Sequence, residues 1–404
     1  MTTASRDIVM TFPVLHEAQR GIRYDTTRYR VLCCGRRFGK TLLITDEGAE
    51  RVALGQYVAY FNLSYKQGKE VWEAFKKLLA PITARKLETE RRIETITGGV
   101  LEMWSLDNEE TATNALGRKY HMVMIDEAAR VPNLMKVWDE TIAPMLMDFQ
   151  GGAFFVSTPR GKNDFHTLYQ RGLDPLMTDW QSFHYPTSAN PHILASEIEK
   201  ARLEKPDRAF RQEILAEFTD DGDGVFRGVS AVSTITPRVP YKGRFVFGVD
   251  WARDEDFTVV SVMDINTRTQ VYMERFNQIG WAVQRGRISA LAERWKPERI
   301  VAETNSIGSV NIEALRGEGL PIRPFTTTAQ SKGPLIDTLT LLIEREQVHL
   351  LNDPVQKAEL QAYSMERLPS GTYRYSAPSG GHDDTVMALA LACKGLSDAV
   401  PTQW

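Results

Sequence analysis

The sequence predicts two successive α/β domains, a parallel-rich sheet in the first half of the chain and a mixed sheet in the second. Three observations carry this reading. From 31 to 157, short apolar runs alternate with helix-period segments, the order of strands joined by helical crossovers. The second half opens instead on three strand-like runs in succession, 244–250, 258–265 and 270–276, before helices and strands alternate. Between them Asp220-Asp221-Gly222-Asp223-Gly224, followed by Pro237, Pro240 and Gly243, breaks the composition and places a linker over 221–243. The expected domains are therefore 1–220 and 244–404. A chain of 404 residues exceeds what one core usually needs, and 42% hydrophobic with 25% charged residues excludes wholesale disorder.

In the first half, 31–34 reads as a strand before a glycine-bearing turn, 41–53 as a helix, 57–62 as a strand and 66–79 as a helix. Residues 92–104 read as a hairpin turning at Gly98-Gly99, and 122–125 and 154–157 as short buried strands. In the second half a turn at Asn266-Thr267 joins two of the opening strands. Helices follow at 282–295, 309–316, 332–347 and 384–396, with a strand at 299–303. Three antiparallel strands followed by alternating helices and strands is the order of an RNase H-like fold.

The bulk numbers exclude several classes. A net charge of −3 and a pI near 6.2 give no overall basic footprint, so any grip on nucleic acid must be local or shared between subunits. Three cysteines, two of them the adjacent Cys33 and Cys34, with no CxxC pair, point to a reduced intracellular protein without a zinc site. The N-terminal residues lack the apolar core of a signal peptide, and no run of about 18 apolar residues predicts a membrane span.

The chemistry-bearing segments begin with Gly35-Arg36-Arg37-Phe38-Gly39-Lys40-Thr41, between a strand and a helix. Backbone N–H groups at such a helix start cradle phosphates, the lysine reaches the β- and γ-phosphates, and the threonine hydroxyl holds Mg²⁺. The pattern asks for glycine six residues before Lys40, where this chain has Cys34. A Gly-Lys-Thr triplet alone is weak; its strand and helix context, and a partner downstream, strengthen it. That partner is the apolar run 122–125 leading into Asp126-Glu127, a Walker B pattern in which Asp126 holds Mg²⁺ and Glu127 polarises the attacking water. The bland alternative is a solvated acid pair capping the next helix. A third strand end, Ser157-Thr158-Pro159, is placed to sense the γ-phosphate, although Ser-Thr-Pro also marks ordinary turns.

The second half offers acids for metal-assisted phosphodiester cleavage, which needs several carboxylates converging on two ions. Asp250 ends the first strand, Asp256 precedes the second with Asp254 beside it, Glu303 ends the fourth, and Asp383-Asp384 open the final helix. In an RNase H-like order the first and fourth strands are neighbours and the last helix packs beside them, so Asp250, Glu303 and Asp383 or Asp384 meet around two Mg²⁺ or Mn²⁺ ions. Singly, an acid at a helix start is an N-cap and an acid at a strand end a solvated turn. His382 reads as structural or DNA-facing.

These motifs together resemble the large subunits of phage DNA-packaging terminases, over nearly the whole chain. Ile125-Asp126-Glu127-Ala128-Ala129 and Ser157-Thr158-Pro159-Arg160-Gly161 carry the likeness with the phosphate loop, and Asn190-Pro191, Gln212-Glu213 and Phe218 resemble the family's lid, about 185–220. The resemblance implies an ASCE-type P-loop ATPase domain followed by an RNase H-like nuclease, using ATP with Mg²⁺. It implies double-stranded DNA, a procapsid portal protein and a small terminase subunit as partners, and a homo-oligomeric ring, a pentamer, without membrane contact. The location it implies is the cytoplasm of an infected host, transiently at the portal. It places Gln19 at the adenine, with Gly35, Arg36, Arg37, Gly39, Lys40 and Thr41 around the phosphates. Arg36 is the loop arginine responding to the γ-phosphate. Arg118 is an arginine finger acting in trans, with a DNA-contacting or solvated arginine as the alternative. Two other classes fit these motifs less well. A cellular helicase-nuclease would need a second helicase core, and a non-catalytic nucleotide switch would not need Lys40, Glu127 and the acid set together.

Overall fold

The computed structural model describes residues 8–64, 66, 68–106, 117–219, 224–252, 256–304, 308–367, 373–378 and 381–397. Residues 220–223 of the acidic turn, Asp254 and the tail 398–404 lie outside them. The chain divides into two compact units, with the division at Asp220/Asp221 apart from two short pieces.

Among the described residues the first unit holds an eight-stranded sheet in the order β3-β4-β5-β2-β6-β7-β1-β8. Strand β1 (Tyr29–Cys34) lies between β7 (Gly152–Ser157) and β8 (Trp180–Tyr185), parallel to both. On the far side of β7 lies β6 (Met122–Asp126), then β2 (Tyr57–Asn62) and β5 (Val100–Ser105), all parallel. The antiparallel pair β3 (Thr83–Leu87) and β4 (Arg92–Thr95) completes the sheet. Strand β7 thus separates the strand feeding the phosphate loop from the strand ending in the acid pair. Alternate side chains enter opposite cores: Val31, Cys33, Val123 and Ile125 on one face, Leu32, Cys34, Met124 and Val156 on the other. Burial on both faces explains why these strands read as continuous apolar runs.

Arg30 is the exception in β1. Its fully buried guanidinium pairs with Glu47 of the Lys40–Ala53 helix and lies 4.5 Å above the Phe154 ring. Burial alone would raise the Glu47 carboxyl, but the charges of Arg30 and Arg51 hold it below its ordinary value. The phosphate-loop helix is thereby fixed to β1 by a charge pair as well as by Leu43, Ile44 and Val52.

The second unit contains a short strand β9 (Ser233–Ile235) and a five-stranded sheet in the order β12-β11-β10-β13-β14. Strand β10 (Phe245–Asp250) pairs antiparallel with β11 (Thr258–Asp264), which pairs antiparallel with β12 (Thr269–Phe276). On its other side β10 is parallel to β13 (Arg299–Glu303), which is parallel to β14 (Ile322–Phe325). The Asp384–Ser397 helix crosses β10 so closely that a Cβ on Gly248 would lie 2.0 Å from the Ala388 carbonyl oxygen. Glycine on the strand facing Ala388 and Ala392 on the helix brings the two backbones together, and with them Asp250 and the start of the helix.

Strands β8 and β14 were not expected. The run Trp180-Gln181-Ser182-Phe183-His184-Tyr185 mixes polar and aromatic residues, and β8 occupies the end of the described sheet, where burial does not demand an apolar run. Strand β14 carries exposed Arg323 and Pro324 for the same reason. The helix expected at 332–347 runs Ala329–Glu344. Thr328 accepts the Ser331 N–H at 3.1 Å and starts it three residues early. No helix among the described residues is long and apolar enough to cross a membrane.

Candidate active sites

The phosphate loop is built by backbone constraints. Arg37 (φ +64°) and Gly39 (φ +97°) are left-handed, and the helix begins at Lys40. A Cβ on Gly35 would fall 2.5 Å from both the Thr187 hydroxyl and the Ile214 carbonyl oxygen. Cys34, standing where the motif has its first glycine, is the buried last residue of β1, so the turn starts one position later.

The expected lid grips this loop. Thr187 Oγ1 donates to the Arg36 carbonyl at 2.8 Å and Asn190 Nδ2 to the Arg37 carbonyl at 2.7 Å. The half-exposed Arg36 guanidinium meets Glu213 Oε1 at 2.7 Å, and the Arg36 N–H donates to the Glu213 carbonyl, also at 2.7 Å. Lys40 Nζ donates to Thr158 Oγ1 at 2.9 Å, which joins the loop to the end of β7. Thr41 is exposed in the first turn of the helix.

Gln19 is buried against the loop, donating from Nε2 to the Gly39 carbonyl at 3.0 Å and accepting the His16 N–H at 3.0 Å. The His16 bond completes the capping box of the Glu17–Arg23 helix, in which His16 is the N-cap, and among the described residues one N–H and one lone pair of the Gln19 amide take no protein partner.

The acid pair stands at the end of β6. Asp126 is buried; its Oδ2 accepts from the Tyr60 hydroxyl at 2.6 Å and its Oδ1 from the Glu127 N–H at 2.9 Å. Burial, then the neighbouring Glu127 charge, raises the Asp126 carboxyl above its ordinary value despite these donors. Glu127 is left-handed (φ +53°), an uncommon state for a residue with a Cβ, and its half-exposed carboxylate lies 3.6 Å from Arg130 Nε. Arg118 is about half exposed, with Nη1 3.5 Å from Glu102.

In the second unit, register sets the acids together. Val249 pairs with Ala302, so Asp250 and Glu303 end adjacent parallel strands. Burial is the first cause raising Asp250 well above its ordinary value; a hydrogen bond with Glu303 and the charges of Glu303, Asp384 and Asp383 add to it. Asp384 is pushed up to about 6 by burial, opposed by the Phe257 N–H it accepts at 3.2 Å. Asp383 is met by Lys332 Nζ at 3.2 Å. Asp256 is two-thirds exposed, and His382 Nδ1 lies 3.1 Å from its Oδ1 and 3.8 Å from Asp384 Oδ2. Asp256, His382 and Asp384 each offer a ligand atom within 4.8 Å of the others.

The structure therefore brings Asp250, Glu303, Asp383 and Asp384 into one electrostatic group, with Asp256 joined through His382 and Asp384. His382 faces two carboxylates, a position the sequence did not suggest. Asp250 and Asp384, held above their ordinary values first by burial and then in part by the neighbouring carboxylate charges, stand among hard oxygen donors of the kind that suit divalent cations. Tyr60, Thr187 and Lys332 had no motif to announce them; each reaches its partner only through the fold.

Two family models match the chain. "Terminase large subunit, T4likevirus-type, N-terminal" covers residues 31–230, and "Terminase RNaseH-like domain" covers 247–394. The chain belongs to the terminase large-subunit family. This terminase subunit is 28% identical to the large terminase subunit of Thermus virus P23-45, over 93% of this chain and 86% of that protein. The solved large terminase of a thermophilic bacteriophage shares its fold, with a TM-score of 0.58 over 94% of this chain and 98% of that one, at 12% identity. The large terminase nuclease of the thermophilic phage G20c, solved with bound magnesium, is 30% identical over 43% of this terminase chain and 97% of its own, with a TM-score of 0.41.

Proposed function

We propose that this terminase subunit hydrolyses ATP to drive double-stranded viral DNA into a procapsid, and cuts concatemeric DNA when packaging starts and ends. The observation that carries this is the presence, on one chain, of a phosphate loop facing an acid pair and of a separate buried carboxylate group. The ATPase domain is assigned to 1–220 and the nuclease to 244–404, with 221–243 between them.

In the first domain Gly35, Arg36, Arg37, Gly39 and Lys40 bind the phosphates of ATP, and Gln19 reaches the adenine. Thr41 and Asp126 hold the accompanying Mg²⁺. Glu127 accepts the proton of the attacking water, and Thr158, already bonded to Lys40, reads the γ-phosphate. Arg36 answers to the γ-phosphate by leaving Glu213, and Arg118 is exposed enough to serve a neighbouring subunit's site. In the second domain Asp250, Glu303, Asp383 and Asp384, with Asp256, hold Mg²⁺ or Mn²⁺. Two ions bound there supply an activated water and stabilise the leaving oxygen. The partners are double-stranded DNA, a portal protein and a small terminase subunit. The subunit works as a pentameric ring in the host cytoplasm, docked transiently at the portal.

Lys40→Ala is expected to lower ATP turnover at least about 10²-fold, the scale of removing one charge-stabilising donor from a reacting centre. DNA cleavage by the same protein should stay near the parent rate. Steady ATP turnover in Lys40→Ala would remove the phosphate loop from the reaction.

A further inference from the structure

Resting on the nuclease reading above, we propose that Glu359 and Arg275 are positioning residues for DNA cleavage, a pair of a buried carboxylate and a partly covered guanidinium that sets where Asp384 stands. Neither is one of the acids expected to bind metal. Glu359 lies in the Pro354–Ala362 helix and is almost fully covered. Its Oε2 accepts the Thr385 N–H at 2.9 Å and also bonds the Thr385 hydroxyl. Thr385 directly follows Asp384, so this carboxylate takes up a free N–H in the first turn of the helix that carries the acids.

The other side of the pair closes on the same residue. Arg275, on β12, reaches Glu359 Oε1 at 3.6 Å, and its guanidinium carbon lies over the Phe257 ring, 3.3 Å from the ring centre. The Phe257 N–H donates to Asp384 Oδ2 at 3.2 Å, and its ring meets His382 edge-on at 5.7 Å. Asp384 is thus held through Thr385 on its helix and through Phe257 on the sheet, and the Glu359–Arg275 pair ties the two holds together. A buried carboxylate that only capped a helix would not need the arginine. An arginine that only neutralised a carboxylate would not need to lie on Phe257.

The sign of one measurement separates this role from a bystander charge. Arg275 is a cation near these acids, so on charge alone Arg275→Gln would ease divalent-ion binding, whereas Glu359→Gln would weaken it by removing a negative charge. A positioning role gives the opposite sign for Arg275→Gln, because glutamine there loses the tie to Glu359 and the contact with Phe257 while both Thr385 bonds stay. The experiment is the Mn²⁺ dependence of DNA cleavage by the full chain, with ATP turnover and melting temperature recorded alongside. For Glu359→Gln and Arg275→Gln the Mn²⁺ midpoint should rise, or saturated cleavage fall, by about 10-fold or more, with ATP turnover unchanged. The double variant should be little worse than either single one.

An unchanged or lowered Mn²⁺ midpoint with parental cleavage in Arg275→Gln overturns the proposal. If that variant fails to fold, Glu359→Gln decides on cleavage at saturating Mn²⁺, which a charge effect on metal affinity alone leaves unchanged: parental cleavage there overturns the proposal. Asp250→Asn run beside them keeps the two readings apart. If it still cleaves, the metal site itself is misassigned; if it is inactive while Glu359→Gln and Arg275→Gln behave as parent, only the positioning role falls.

Discussion

Asp250→Asn is expected to cut DNA cleavage about 10³-fold or more, the loss of several kcal/mol of transition-state stabilisation, while ATP turnover stays within about twofold. Asp250 is the buried end of the central strand, bonded to Glu303 and repelled by Asp383 and Asp384. Asparagine keeps the shape and removes the charge that a divalent ion needs.

The same substitution should stabilise the metal-free protein, which an ordinary loss-of-function variant does not do. The fold holds Asp250 well above its ordinary value of 3.8. The parent therefore loses stability as pH rises from the unfolded value through the raised folded one, whereas asparagine does not titrate. In chelator, the melting temperature of Asp250→Asn should exceed the parent's by a few degrees, about 1 kcal/mol for a unit of this size, with the gap widest at high pH. Normal cleavage, or a lowered melting temperature in chelator, would contradict the burial and repulsion described for this carboxylate.

Glu127→Gln is expected to lower ATP turnover by about 10²–10⁴-fold, the range of a lost general base, while ATP binding stays near the parent's. The separation follows from geometry. Lys40 and the loop N–H groups lie on the helix side, whereas Glu127 stands at the end of β6 in a left-handed conformation, with its carboxylate half exposed. Its N–H holds Asp126, and glutamine retains that backbone bond. Turnover by released phosphate and binding by a fluorescent ATP analogue check the two halves. Loss of binding together with turnover would make Glu127 a nucleotide or metal ligand and leave the attacking water without this acceptor.

Much of the fold was legible because the sequence reports burial directly. Strands β1, β6 and β7 are buried on both faces, and their apolar runs place the loop and the acid pair at strand ends. Asp250, Glu303 and Asp383-Asp384 could be grouped before any coordinates, because an RNase H-like strand order makes the first and fourth strands neighbours. Contacts made across long sequence distances were not legible. Tyr60 is 66 residues from Asp126, and Glu359 is 26 from Thr385; each is an unremarkable member of its own strand or helix. From sequence His382 reads as structural or DNA-facing, because a lone histidine before a helix carries no signal of the Asp256 carboxylate 126 residues away. Strand β8 escaped notice because a strand at the end of the sheet is released from the apolar pattern that marked the others.

The most direct test is an anomalous difference map from crystals of the full chain grown with Mn²⁺ and a non-hydrolysable ATP analogue. Manganese should appear between Thr41, Asp126 and the nucleotide phosphates, and separately among Asp250, Glu303, Asp383 and Asp384, at about 2.0–2.2 Å from carboxylate oxygens, as for other small divalent ions with hard ligands. A map with saturating Mn²⁺ and no peak touching Asp250, or with manganese gathered on acids elsewhere, would contradict the assignment of two separate chemistries to this polypeptide.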